Sequence, residues 1–107
     1  MQVTTIGIDV AKSVFQMHGV DSRGRVVLGK RLVREKLLAF VANLPRCVIG
    51  MEACASTHHW ARETGKLGHE VKLINPKFVK AYVKSNKSDP NDAEGICEAV
   101  NRLINDN

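Results

Sequence analysis

No run of apolar residues in the chain approaches the roughly 18 that a bilayer-crossing helix needs. The opening Met1-Gln2-Val3-Thr4-Thr5 also lacks the basic start and apolar stretch of a secretion signal. These absences predict a cytoplasmic protein with no membrane partner. Cysteine is sparse: Cys47, Cys54 and Cys97 are odd in number, widely spaced and without a Cys-x-x-Cys pair, so neither a disulfide framework nor a zinc ribbon is indicated, and reduced thiols are expected. Neither a Gly-x-Gly-x-x-Gly turn nor a Gly-Lys-Ser/Thr loop occurs, so dinucleotide and P-loop chemistry lack their cradle. Trp60, the only tryptophan, is expected in the core. With no repeat, low-complexity tract or interdomain linker, the 107 residues read as one compact domain.

What is present is a mixed α/β pattern. Val3 to Val10 is apolar or β-branched at nearly every position, as in a central strand covered on both faces. Val14 to Val20 and Arg25 to Leu32 flank the turn-forming Asp21-Ser22-Arg23-Gly24, predicting an antiparallel three-stranded meander. Arg34 to Asn43 has helical spacing, and Cys47 to Met51 reads as a short buried strand. Ser56 is placed to cap a helix that Gly68 ends, and Glu70 to Ile74 follows as a strand. Asn75-Pro76 opens another helix, with Phe78, Val79 and Tyr82 facing inward. Pro90 fits the first turn of a last helix striped by Ile96, Ala99, Val100 and Leu103. A meander followed by helix-linked parallel strands is the ribonuclease H-like plan.

A net charge of +5 and a pI near 9.4 suit a polyanionic partner. Lys77, Lys80, Lys84 and Lys87 recur every three or four residues, which stacks them along one helix side if the period holds. Together with Lys12 they are the candidate phosphate contacts, against the plainer reading of a solvated face.

Four acids carry the chemistry: Asp9 and Glu52 at strand ends, and Asp89 and Asp92 in Ser-Asp-Pro-Asn-Asp. Converging carboxylates repel unless a cation neutralises them, so together they predict a divalent-metal site. Asp9, directly after Ile6-Gly7-Ile8, must be paired, metal-bound or at a sheet edge; a turn role or an ion pair with Lys12 is the alternative. Glu52 also fits an exposed strand-to-helix loop. Asp89 before proline is a good helix cap, and Asp92 favours the positive end of the helix, roles compatible with metal binding. Glu94 reads as a dipole partner, and Glu98 and Asp106 as solvated. Cys54, His58 and His59 mimic half of a zinc site but have no second pair, which leaves the histidines as surface or groove residues.

The segments Ile6-Gly7-Ile8-Asp9-Val10-Ala11-Lys12, Gly50-Met51-Glu52-Ala53-Cys54-Ala55-Ser56-Thr57-His58-His59-Trp60, Asn75-Pro76-Lys77-Phe78-Val79-Lys80 and Asn86-Lys87-Ser88-Asp89-Pro90-Asn91-Asp92 resemble the N-terminal domain of DEDD-type insertion-sequence transposases of the IS one-ten group. Pilin-gene inversion recombinases are relatives of that group. The resemblance spans essentially the whole chain and implies a RuvC-like catalytic domain over residues 1–107, with the family's Asp, Glu and Asp-x-x-Asp falling on Asp9, Glu52, Asp89 and Asp92. It further implies DNA as partner, a guide RNA, a homo-oligomer for the full-length protein, and a downstream domain bearing a nucleophilic serine.

From the residues, two Mg²⁺ or Mn²⁺ ions bridged by Asp9 would be completed by Glu52, Asp89 and Asp92 and would promote strand cleavage and transfer. The family's serine implies instead that the acids position a phosphate for attack from the other domain. A different class of function is a non-catalytic nucleic-acid-binding module of the same fold. An actin-like ATPase half ranks last, because Val10-Ala11-Lys12 lacks the glycine and hydroxyl residues of that phosphate loop.

Overall fold

A computed structural model describes residues 2–11, 13–80 and 90–105. The elements follow the expected order: β1 (Thr5–Val10), β2 (Val14–Val20), β3 (Val26–Val33), a 3₁₀ turn (Arg34–Lys36) leading into α1 (Leu37–Ala42), β4 (Val48–Glu52), α2 (Thr57–Lys66), β5 (Glu70–Ile74), α3 (Pro76–Lys80) and α4 (Pro90–Asn105). The five strands form one sheet in the order β3-β2-β1-β4-β5. Pairing is antiparallel from β3 to β1 and parallel from β1 through β4 to β5, so the meander and the helix-linked strands meet at β1. This mixed sheet is compatible with the ribonuclease H-like plan. No helix among the described residues is long and apolar enough to cross a membrane.

Strand alternation gives the sheet two faces. On one, Ile6, Ile8, Phe15, Met17, Ile49 and Met51 pack with Leu37, Val41 and Trp60. Trp60 meets Phe15 edge to face at 5.1 Å, so the expected core tryptophan is there. The other face is covered by α4, whose Ile96, Ala99 and Val100 pack with Ile74 of β5 and Val79 of α3. The hairpin turn closes through Asp21, whose Oδ1 accepts from the backbone N–H groups of Arg23 and Arg25, while Gly24 takes φ +80°. Gly68, at φ +99°, follows the end of α2.

Several expectations are corrected. β1 begins at Thr5, although Val3 is still buried. The helix expected from Arg34 starts as a 3₁₀ turn, because Val33 is extended and offers no capping side chain. Ser56 makes no cap bond either. Thr57 closes that turn instead, its Oγ1 accepting from Cys54 N at 3.0 Å and donating to Cys54 O at 2.9 Å. In the five-residue α3 only Val79 reaches the core, and Phe78 is 59% exposed. Leu103 is half exposed because Asn101 already sits against Thr5, the first residue of β1, and the helix then runs past the sheet. Tyr82 lies outside the described residues.

Candidate active site

The position of each acid follows from register. The β1–β4 pairing aligns Thr5 with Val48, Gly7 with Gly50 and Ile8 with Met51. Asp9 and Glu52 come next on each strand, one residue past the last aligned pair, at the same end of neighbouring parallel strands. Their shared face follows from the glycines two residues earlier. A Cβ on Gly7 would overlap the backbone of Ala93 and Cys97, and one on Gly50 would overlap the Val100 side chain, all in α4. Asp9 and Glu52 therefore lie on the α4 face, at the carboxyl ends of their strands, and both are half-buried.

The direction of α4 brings its start to the same edge. The Thr5 hydroxyl donates to Asn101 Oδ1 at 3.3 Å, the Cys97 thiol donates to the Thr5 carbonyl at 3.6 Å, and Ala93 abuts Gly7. Moving along β1 from Thr5 to Gly7 thus moves backward along α4 from Asn101 to Ala93. One more turn of each leads toward Asp9 and the helix start, where Asp92 stands exposed in the first turn. Among the described residues, no group of three or more His, Cys, Asp or Glu side chains could hold a metal ion. Asp89, Lys12, Lys84 and Lys87 lie outside the described residues. Lys77 and Lys80 are exposed on α3.

The register also adds what the pattern alone does not disclose. Asp9 pairs with Gln16, and Gln16 pairs with Arg31, so one row crosses the sheet as Arg31, Gln16, Asp9 and Glu52, all on the α4 face. Two steps down the strands, His18 lies half-buried beside a cavity of about 90 Å³ lined by Glu94, Cys97, Glu98 and Asn101. Burial pushes the His18 pKa down against the opposing pull of the two glutamates. Glu94 and Glu98 both line this cavity, and Glu98, about half exposed, pairs with Arg102 at 2.9 Å.

His58 and His59 are exposed, as expected; His59 stands edge-on to Trp60 at 4.8 Å, and Arg34 lies over the same indole at 5.4 Å. All three thiols are free. Burial pushes Cys47 up to about 11 and Cys97 up to about 12, whereas hydrogen bonding from Ser56 lowers the exposed Cys54. At pH 8 the thiolate is then roughly one part in a thousand at Cys47 and one in ten thousand at Cys97. Iodoacetamide should modify the folded protein at Cys54 alone, the other two reacting only on unfolding. Mass spectrometry of a native time course tests this, and early modification of Cys97 would mean that α4 is not seated as described.

A family model described as a transposase, of the DEDD IS110 type, matches residues 6–105. A probable family 20 transposase of Pseudomonas aeruginosa is 53% identical over 102 residues, covering 95% of this chain and 30% of its own length. The transposase for insertion sequence element IS1328 of Yersinia enterocolitica is 50% identical over 100 residues, with 94% and 30% covered. A putative transposase of Sinorhizobium fredii is 48% identical over 101 residues, with 94% and 26% covered. The chain thus spans under a third of the length of these relatives.

Proposed function

Because the chain belongs to the DEDD-type insertion-sequence transposases of the IS110 group, we propose that it is their RuvC-like domain, acting in metal-dependent DNA strand cleavage and transfer through Asp9, Glu52, Asp89 and Asp92. One observation carries this reading: Asp9 and Glu52 follow aligned residues of adjacent parallel strands, on the sheet face against which the start of α4 is directed.

The donor set fits the cofactor. Carboxylates at the ends of rigid strands supply the hard oxygen ligands that Mg²⁺ and Mn²⁺ prefer. Asp9, Glu52, Asp89 and Asp92 would hold the metal. Bound there, the metal would supply charge neutralisation at a phosphate and a more nucleophilic attacking oxygen. The chain's residues do the positioning. Asp9 and Glu52 are held at fixed spacing by ladder hydrogen bonds on both flanks of their strands, and Asp92 is favoured electrostatically by the helix end on which it stands. Lys77 and Lys80, with Lys12, Lys84 and Lys87, would bear the phosphates of an incoming strand. A guide RNA, homo-oligomeric assembly and a serine in a further domain belong to this proposal for the longer protein.

Titration with Mn²⁺, followed by water-proton relaxation, is expected to reveal a saturable site that Asp9→Asn weakens by about tenfold or more, roughly 1.4 kcal/mol. Superimposable titrations would remove Asp9 from the site. A non-catalytic nucleic-acid module of the same fold is the second reading, favoured by the net charge of +5. It predicts salt-sensitive DNA or RNA binding that EDTA leaves unchanged.

A further inference from the structure

The row that crosses the sheet at Asp9 continues beyond the acids. Asp9 is paired with Gln16 and Gln16 with Arg31, and in antiparallel pairing directly opposed residues point to the same face. Arg31 therefore stands two strands from Asp9, about 10 Å away, on the same side of the sheet. Among the described residues helix α4 packs on β1, β2, β4 and β5 and makes at most slight contact with β3. Gly29, two residues before Arg31 on the same face, has nothing within 4 Å of where a Cβ would be, and Val33, two residues after it, is 47% exposed. Arg31 is itself exposed, and among the described residues it enters no ion pair.

We propose that Arg31 is a phosphodiester-binding residue that grips a backbone phosphate of the nucleic-acid strand whose neighbouring phosphate lies at the carboxylates, with the Gln16 amide between them as a hydrogen-bonding step. The inference rests on the proposed carboxylate site and deepens it by giving the strand a direction across the sheet, from Glu52 and Asp9 over Gln16 to the open face of β3. Charge explains the separation. A guanidinium in contact with Asp9 would neutralise a carboxylate needed elsewhere, whereas one placed two strands away is free to pair with phosphate, for which its planar fork is suited. The opposite face of β3 has a different use, since Lys30 there lies over the Phe40 ring at 5.1 Å. Among the described residues Arg31 has no such ring or ion-pair partner.

The test measures fluorescence anisotropy of a labelled DNA oligonucleotide bound to this chain between 50 and 200 mM salt, in EDTA and in Mg²⁺. Arg31→Gln is compared with Arg23→Gln, which removes the same charge from the hairpin turn at the far end of β3. Loss of one phosphate contact lowers the slope of log affinity against log salt by about one, so the affinity lost across that salt range should shrink by about threefold in Arg31→Gln. Arg23→Gln should leave the slope unchanged, and Arg31→Lys should retain it while binding more weakly. An Arg31→Gln slope equal to wild type, equal slope changes in both variants, or no salt-sensitive binding in the wild-type chain would overturn the assignment. The slope in EDTA is independent of metal, so failure of the carboxylate reading, seen in the Asp9→Asn titration, is told apart from failure at Arg31.

Discussion

Gly7→Ala is expected to destabilise the fold by about 3 kcal/mol or more, lowering the midpoint of thermal unfolding by some 10 °C or more. The added methyl would overlap the carbonyl of Ala93 and the backbone of Cys97, and backbone atoms inside a helix cannot rotate out of the way. Either α4 lifts from β1 or the centre of the sheet distorts. Gly50→Ala is the instructive comparison, because its methyl would strike the Val100 side chain, which can be shortened. The pair Gly50→Ala with Val100→Ala should recover much of the stability lost in Gly50→Ala alone, whereas Cys97→Ala should recover nothing for Gly7→Ala. A Gly7→Ala protein melting within about 2 °C of wild type would show that α4 does not lie where described. In the proposed site the effect would reach function, because the start of α4, which carries Asp92, is directed toward the edge that carries Asp9, and a displacement of about 1 Å is enough to degrade a catalytic constellation.

The same two glycines show what can be read from residue order and what cannot. Val3 to Val10 announces a buried strand by its apolar run, and Gly7 within it is uninformative until a helix is known to cross there. The meander, the helix-linked strands and the apolar stripe of α4 were legible because periodicity and turn residues are local signals: the Asp21 to Gly24 turn, Gly68 after α2 and Pro90 at the start of α4 all stand as expected. Side-chain roles at short helices were not. Phe78 and Val79 are adjacent and similarly apolar, and only the position of α4 decides which is buried. Asp9 and Glu52 could be singled out because an acid ending an apolar strand is costly without a purpose. Their common face depends on the register of β1 with β4, 43 residues apart by numbering from Asp9 to Glu52, and no local pattern encodes it. Gln16 and Arg31 carry no local signal for the same reason, since the role proposed for them lies only in the row they share.

His69 was also silent in the sequence, and its replacement is expected to cost nearly as much as the glycine substitution. Its ring is buried between three elements, with Nδ1 accepting from the Cys47 backbone N–H at 3.2 Å and Nε2 donating to the Val41 carbonyl at 3.0 Å. Those two bonds require the tautomer with hydrogen on Nε2. They tie the end of α1 and the residue before β4 to the residue before β5, where the Glu70 N–H also donates to the Cys47 carbonyl at 3.1 Å. Among the described residues no buried side-chain nitrogen or oxygen lacks a partner, so removing this ring would introduce a defect the fold otherwise avoids. His69→Ala strands the buried Cys47 N–H, worth about 1–3 kcal/mol when unpaired, and leaves a cavity, for a total of about 3–5 kcal/mol, while the Val41 carbonyl keeps the Leu44 N–H at 3.1 Å. His69→Phe separates the two contributions by keeping most of the volume without the bonds, and a loss of about 2 kcal/mol is expected from the orphaned Cys47 N–H. Urea unfolding with unchanged slope and a lowered midpoint is the readout for both. If His69→Phe proves as stable as wild type, the bonds contribute nothing net and the ring acts only as filler. If the bonds do contribute, the entry to β4 is fixed at Cys47, five residues before Glu52, and the imidazole helps set the register in which β4 runs beside β1.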